Sequence, residues 1–252
     1  MSMDFIEESL SRKRDISFFL FCAGGGRMGT KAAEAAKALG ASVVVADPAP
    51  HCLARGRADV VLERISEVDP ELGGRIQLLP ADAAASLLEL MRQCPPHLIV
   101  PATEGHFAAK LAVAHLGRKE VKVAPCTTLL RRVAAALPTE VVLLVDEKNA
   151  VLVTSYMPSG IMCKEDCEQP VLCSVLGRKN ERPMHELVRE KLSREAGRST
   201  VLITTDLGGV GALKAAEVQS MLAQLDPLVK GDTYALATSC RCHSIANIFE
   251  IV

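Results

Sequence analysis

The run Phe18-Phe19-Leu20-Phe21-Cys22-Ala23 enters Gly24-Gly25-Gly26-Arg27-Met28-Gly29, and a helical stretch from Thr30 to Leu39 follows at once. An apolar strand that passes its chain to a helix through glycines narrows the choice of folds sharply. Each glycine at this G-x-G-x-x-G spacing has its own task. Gly24 permits the tight turn, Gly26 lets a phosphate approach the backbone, and Gly29 lets helix and strand pack closely. The helix then directs its first N–H groups at an anion. Gly24, Gly26 and Gly29 are therefore candidate nucleotide-binding residues.

The chain beyond this turn keeps one rhythm as far as Pro138. Strand one runs from Ile16 to Cys22, and Gly40 stands where a helix-ending glycine belongs. Ala41 to Ala46 is a Val-rich run, as in a strand buried on both faces, and it ends at Asp47. A short helix over 51–56, strands at 59–62 and 76–79, and a helix over 83–93 come next. His97 to Pro101 reads as a strand, Phe107 to Leu116 as a helix, and 120–124 with 127–136 as a further strand and helix. Alternation of this kind predicts βαβ units, hence an α/β fold with a mainly parallel sheet and flanking helices.

This half, residues 16–138, resembles the Rossmann-type dinucleotide-binding family, on the strand, the glycines, the following helix and the acid Asp47. It is also similar to the N-terminal domain of biotin-carboxylase-like ATP-grasp enzymes, in Asp47-Pro48 after strand two and Ala58-Asp59 before strand three. The second resemblance covers about the first quarter of the chain, and no ATP-grasp domain follows, so ligase activity is not implied. The first implies NAD or NADP as cofactor, with Asp47 accepting hydrogen bonds from ribose hydroxyls and so preferring NAD. Thr103, Glu104 and His106 follow another strand and would share its carboxyl edge. Glu104 and His106 are the candidate acid/base groups. The structural alternative makes Thr103 a helix cap and Glu104 a favourable charge in the first turn.

The remainder, residues 139–252, reads as a second α/β half. Val141–Val145 and Val151–Tyr156 flank a reversal at 146–149, whereas 157–183 shows no period. A helix over 184–196 and a strand over 200–204 precede Asp206-Leu207-Gly208-Gly209-Val210-Gly211, a second glycine turn expected to lead into a helix over 212–225. It lacks the Lys-Ser/Thr of a P-loop and reads better as a structural turn. A last strand over 233–238 brings Cys240-Arg241-Cys242-His243 to its exit.

Cys163-x3-Cys167-x5-Cys173 and Cys240-x-Cys242 form the second candidate site. Cys22, Cys52, Cys94 and Cys126 are scattered singly and suit burial. Lys164, Glu165, Asp166 and Glu168 surround the first pair, which is no core environment. Residues two apart on an extended segment point the same way, so Cys240 and Cys242 would share one centre. A metal would also hold a long aperiodic loop in place of a hydrophobic core. The ligands are nearly all thiols, so an iron–sulfur cluster is preferred to zinc, with His243 beside the ligands rather than among them. A thiol–disulfide switch between the two groups is the alternative.

The totals set the remaining limits. A net charge of -1 with no basic run disfavours a nucleic-acid partner. No apolar run has membrane-spanning length, and 1–15 is a polar lead-in with a short helix at 4–12, unlike a signal peptide. Nine cysteines without an export signal predict reduced thiols and a cytoplasmic address. A homo-oligomer is compatible with these totals. The combined expectation is a redox protein that binds a small-molecule nucleotide and a metal, with enzymatic activity left open. A non-enzymatic metal- or nucleotide-responsive sensor and a zinc-stabilised structural domain are the alternatives.

Overall fold

The computed structural model describes residues 18–161, 163–164, 167 and 169–252. The expected lead-in over 1–15 and the start of strand one lie outside them. The protein is an α/β fold with two sheets, and its chain divides into two compact units. One unit takes the chain up to Phe107 and again Thr205–Gln219; the other takes Ala108–Thr204 and Ser220–Val252.

In the first unit, β1 (Phe19–Ala23), β2 (Ser42–Ala46), β4 (Arg75–Leu79) and β5 (Leu98–Pro101) supply the core. With β3 (Val60–Val61), β10 (Thr205–Leu207) and β11 (Val210–Lys214) they give the order β10-β11-β5-β1-β2-β4-β3. Neighbours among β1 to β5 are parallel; β11 runs against that direction and β10, antiparallel to β11, returns to it. Every residue of β1 and β2 is buried, as their unbroken apolar runs require. The strand order reverses between β1 and β5, because β2 and β4 lie on one side of β1 and β5 on the other. In open α/β sheets such a switch leaves a crevice beyond the carboxyl ends of the two strands.

Helix α1 (Arg27–Ala38) buries Gly29, Thr30, Ala32, Ala33 and Ala36, the single stripe its period predicts. The helix ends at Gly40, whose φ is +85°. The Gly40 N–H donates to the Lys37 carbonyl at 2.9 Å and the Ala41 N–H to the Ala36 carbonyl at 3.0 Å, so two otherwise orphaned carbonyls are satisfied. Helix α2 (Ala83–Gln93) is capped by the Asp82 carboxylate, which accepts from the Ala85 N–H at 2.8 Å.

The second unit holds the six-stranded sheet β7-β8-β13-β12-β9, with β6 (Val123–Pro125) pairing β13. Its strands are β7 (Val142–Asp146), β8 (Val151–Ser155), β9 (Ser199–Ile203), β12 (Thr233–Ser239) and β13 (His243–Ile251). Pairing is antiparallel except between β9 and β12. The mainly parallel sheet expected of the first half is present in the first unit, and the second α/β half is built on a mainly antiparallel sheet. Helix α3 (Phe107–Gly117) leads from β5 towards β6. Helices α4 (Thr127–Ala136) and α5 (Met184–Ala196) add Leu130, Val133, Leu187 and Leu192 to a core with Leu152, Ala235, Ala237 and Ile248.

The rhythm that carries the sequence reading to Pro138 continues in the chain but not in the sheet. β6 and α4 obey the strand–helix alternation, yet β6 pairs with β13, so the second unit begins at Ala108. The second glycine turn also differs. Gly208 and Gly209, with φ of +59° and +78°, close the antiparallel hairpin β10–β11, and helix α6 (Ala215–Leu225) starts only afterwards. Two successive positive φ values suit the twist of a two-residue hairpin loop. No helix N-terminus is offered to an anion there.

Candidate functional site

The glycine turn is fixed by close approaches that a side chain would block. A Cβ on Gly24 would lie 2.7 Å from the Ala102 carbonyl oxygen, and one on Gly29 would lie 1.9 Å from the Gly24 carbonyl oxygen. The first contact joins the ends of β1 and β5, and the second joins α1 to its own entry turn. Gly25 is covered as well: a Cβ there would meet the Cys52 sulfur at 2.7 Å. The Gly25 carbonyl accepts from the Ala54 N–H at 2.9 Å and from the Thr30 hydroxyl at 3.1 Å.

Gly26 is different. It is exposed, its φ of -74° and ψ of -168° are open to any residue, and a Cβ would meet nothing within 4 Å. As the N-cap of α1 it has no side chain capping the first amides. Asp47, at the end of β2, is drawn to the same turn. One carboxylate oxygen accepts from the Gly25 N–H at 2.6 Å and the other from the Ala49 N–H at 2.8 Å. Each oxygen keeps a further lone pair.

The loop after β5 adjoins this turn, as expected from the shared carboxyl edge. The Thr103 N–H group would lie 3.2 Å from a Cβ on Gly24. The Thr103 hydroxyl oxygen is buried and has no hydrogen-bond partner among the described residues. Thr103 is therefore no helix cap, since α3 begins only at Phe107. Glu104 is exposed and His106 is 6% exposed, so the two candidate acid/base groups differ sharply in access. Asp59, named by the ATP-grasp resemblance, has a structural role. Its carboxylate accepts from the Ile76 N–H at 2.8 Å and pairs with Lys37 at 2.7 Å.

In the second unit, Cys240 to His243 form the turn of the β12–β13 hairpin. Ser239 pairs with Ser244, and the Cys240 N–H donates to the His243 carbonyl at 2.9 Å. Cys240 and Cys242 therefore meet through a tight reversal, whereas the extended exit was expected to align them. The Cys240 sulfur accepts from the backbone N–H groups of Cys242 at 3.4 Å and His243 at 3.2 Å. The His243 Nδ1 atom lies 3.5 Å from the same sulfur. The Cys167 sulfur likewise accepts from the Gln169 N–H at 3.4 Å.

The two cysteine segments are tied by groups the sequence reading did not single out. The Arg241 N–H donates to Gln169 Oε1 at 2.8 Å, joining the residue between Cys240 and Cys242 to the segment of Cys167. The Arg241 guanidinium donates to the carbonyls of Asn180 at 3.1 Å and Glu181 at 3.3 Å. Arg178 donates to the Tyr156 carbonyl, and the Tyr156 hydroxyl to the Arg182 carbonyl at 2.8 Å. The Arg178 side chain thus holds backbone. Residues 171–180 fold back on themselves through the Leu172–Lys179 bridge and the Asn180 N–H to Val171 carbonyl bond of 2.8 Å. Cys173 lies inside this reversal, with its sulfur 4.0 Å from that of Met157.

Burial and neighbouring thiols raise three of these cysteines. Burial pushes Cys163 up to about 11, helped by its hydrogen bond with Cys167 and by the charges of Cys167 and Cys173. Burial also pushes Cys242 up to about 11, with Cys240, Cys167, Cys163 and Cys173 acting in the same direction. Cys240 is raised by burial, against the pull of the amides of Cys242 and His243. Burial lowers His243, which keeps its ring neutral. Cys163 and Cys242, raised in this way, keep their protons near neutral pH, and a cation would have to displace them. Among the described residues, no group of three or more His, Cys, Asp and Glu side chains is arranged to hold a metal ion. The two candidate sites belong to different sheets.

The fold and these sites define a two-unit α/β protein, with a glycine turn at a switch point in one unit and a cysteine-bearing hairpin turn in the other. A family profile described as "AF_1314_C: Uncharacterized protein, C-terminal domain" matches residues 108–252, and the chain belongs to that family. The matched region begins at the residue that opens the second unit. A protein of Archaeoglobus fulgidus, also described as "Uncharacterized protein", is 30% identical over 232 residues, which cover 90% of this chain and 97% of the relative. No solved structure matches the chain. All nine cysteines are free, and among the described residues no helix is long and apolar enough to cross a membrane.

Proposed function

We propose that this is a redox protein that binds a nucleotide in its first unit and a metal in its second. In this reading the turn at Gly24, Gly26 and Gly29 takes the pyrophosphate of a Rossmann-type dinucleotide, and Asp47 takes ribose hydroxyls. Gly26 carries the reading. Nothing in the surrounding protein demands a glycine at 26, whereas a phosphate lying against the backbone would. The orphaned Thr103 hydroxyl, beside Gly24, supports it: a buried hydroxyl left unpaired costs about 1–3 kcal/mol, which a ligand oxygen would offset. A carboxylate at 47 favours NAD, because the 2′-phosphate of NADP would meet its negative charge.

The thiols Cys163, Cys167, Cys173, Cys240 and Cys242 supply a donor set suited to an iron–sulfur cluster or zinc. Nine free cysteines suit a reducing cytoplasm. The net charge of -1 offers no basis for a nucleic-acid partner, and a homo-oligomer is compatible with this reading. The burial of His106 favours a second reading, a non-enzymatic nucleotide- or metal-responsive binding protein. A general acid or base must come within reach of its substrate, and binding needs none. Calorimetric titration with NAD, NADP, ATP and FAD tests the nucleotide site. NAD should bind most tightly, and no heat from any of the four refutes the reading.

A further inference from the structure

We propose that Cys163, Cys167, Cys240 and Cys242 form one thiophilic metal site, and that Cys173 and His243 stay outside it. The inference rests on the metal centre proposed above and goes beyond it by fixing the ligands. Two pairs of sulfurs come from segments far apart in the chain. Within the first, Cys163 and Cys167 stand four positions apart on one short segment. Within the second, the hairpin turn folds Cys242 back until its N–H reaches the Cys240 sulfur at 3.4 Å. The Arg241 N–H to Gln169 Oε1 bond of 2.8 Å then fastens the hairpin turn two residues from Cys167.

The sulfurs of Cys167 and Cys240 accept backbone amide protons, one at Cys167 and two at Cys240. A sulfur in that position is set up to carry negative charge, as a metal-bound thiolate does. The stretch between β8 and α5 contains one isolated bridge and no strand or helix among its described residues. Coordination would supply the cross-link that its backbone lacks. Closing the site requires side-chain movement, since no three of these side chains are already arranged around one point.

Cys173 is engaged elsewhere. Its S–H group points at the Met157 sulfur, 4.0 Å away, and its backbone is committed to the 171–180 reversal through the Cys173 N–H to Arg178 carbonyl bond of 2.9 Å. His243 contributes its backbone N–H to Cys240, and its Nδ1 lies against that sulfur. Its place is beside a ligand, where an imidazole tunes the sulfur it touches.

Metal analysis of the full-length protein, purified anaerobically and loaded separately with zinc and with iron plus sulfide, tests this. Loaded wild-type protein should retain metal through dialysis, and whichever loading persists names the metal. Cys167→Ser and Cys240→Ser should each lower retained metal at least tenfold, whereas Cys173→Ser should retain it in full. X-ray absorption at the metal edge of the wild-type protein needs no variant. The atoms bound directly to the metal should be sulfur alone, at about 2.3 Å. Loss of metal in Cys173→Ser, or a nitrogen neighbour in the absorption spectrum, overturns the ligand set while leaving a metal centre in place. A wild-type protein that retains neither metal, with all nine thiols titratable, overturns the metal centre itself.

Discussion

The two turns that carry the candidate sites are held in opposite ways. The turn at 24–29 is fixed by what is missing: without side chains at Gly24 and Gly29, backbone packs on backbone at the ends of β1 and β5. The turn at 240–243 is fixed by what is present, namely Arg241, Gln169 and the amides that reach the Cys240 sulfur. A turn of the first kind is rigid before any ligand arrives. A turn of the second kind depends on distant segments, and a cross-linking metal would add most to it. Rigidity suits close recognition of an anion, and reliance on long-range ties suits coupling of metal binding to local folding.

The largest effect should come from filling the first turn. Gly29→Ala puts a Cβ into a backbone oxygen that cannot step aside, and we expect a loss of about 3 kcal/mol or more in chemical denaturation. A smaller loss would mean that the turn yields, which erases the contrast. Next comes Arg241→Ala, which strips two carbonyls of a charged donor and should cost about 2 kcal/mol. Hydrogen exchange should place the loosening at 167–184 and leave β1 to β5 protected. Uniform loosening across both units would argue against separate support.

The smallest effect concerns pH. The Ile76 N–H, then the Lys37 ammonium, and then the charges of Lys37 and Arg75 hold Asp59 below its ordinary value of 3.8. A depressed folded value means that the ionised carboxylate stabilises the fold above pH 3.8 and that this support is lost as pH falls through the folded value. The group faces solvent, so Asp59→Asn should cost about 1 kcal/mol or less at pH 7. The wild-type advantage should disappear in acid, and an advantage that persists there would assign the effect to packing instead.

Much of the first unit was legible because its signals are local. Unbroken Val-rich runs, a glycine after a helix and alanines on one stripe each act within a few residues, and β1, α1, β2 and α2 fall close to where they were expected. Long-range pairing was not legible. Nothing within 120–125 says that this strand will join β13, and Gly208-Gly209 reads alike before a helix or inside a hairpin until its partner strand is known. The cysteine set was found by spacing and environment, but its ties were not. Arg241 and Gln169 matter through partners up to 72 positions away. Cys52 and Thr103 act on the glycine turn only once the chain has folded around it.

Titration of Gly26→Val with NAD, beside the wild-type protein, tests the account most directly. The position is open and extended, so the variant should stay within about 1 kcal/mol of wild-type stability. Its new side chain should occupy the place of the pyrophosphate and lower NAD affinity at least tenfold. Equal affinity in a folded variant would show that no phosphate lies against Gly26, and the nucleotide reading of the first unit would fall.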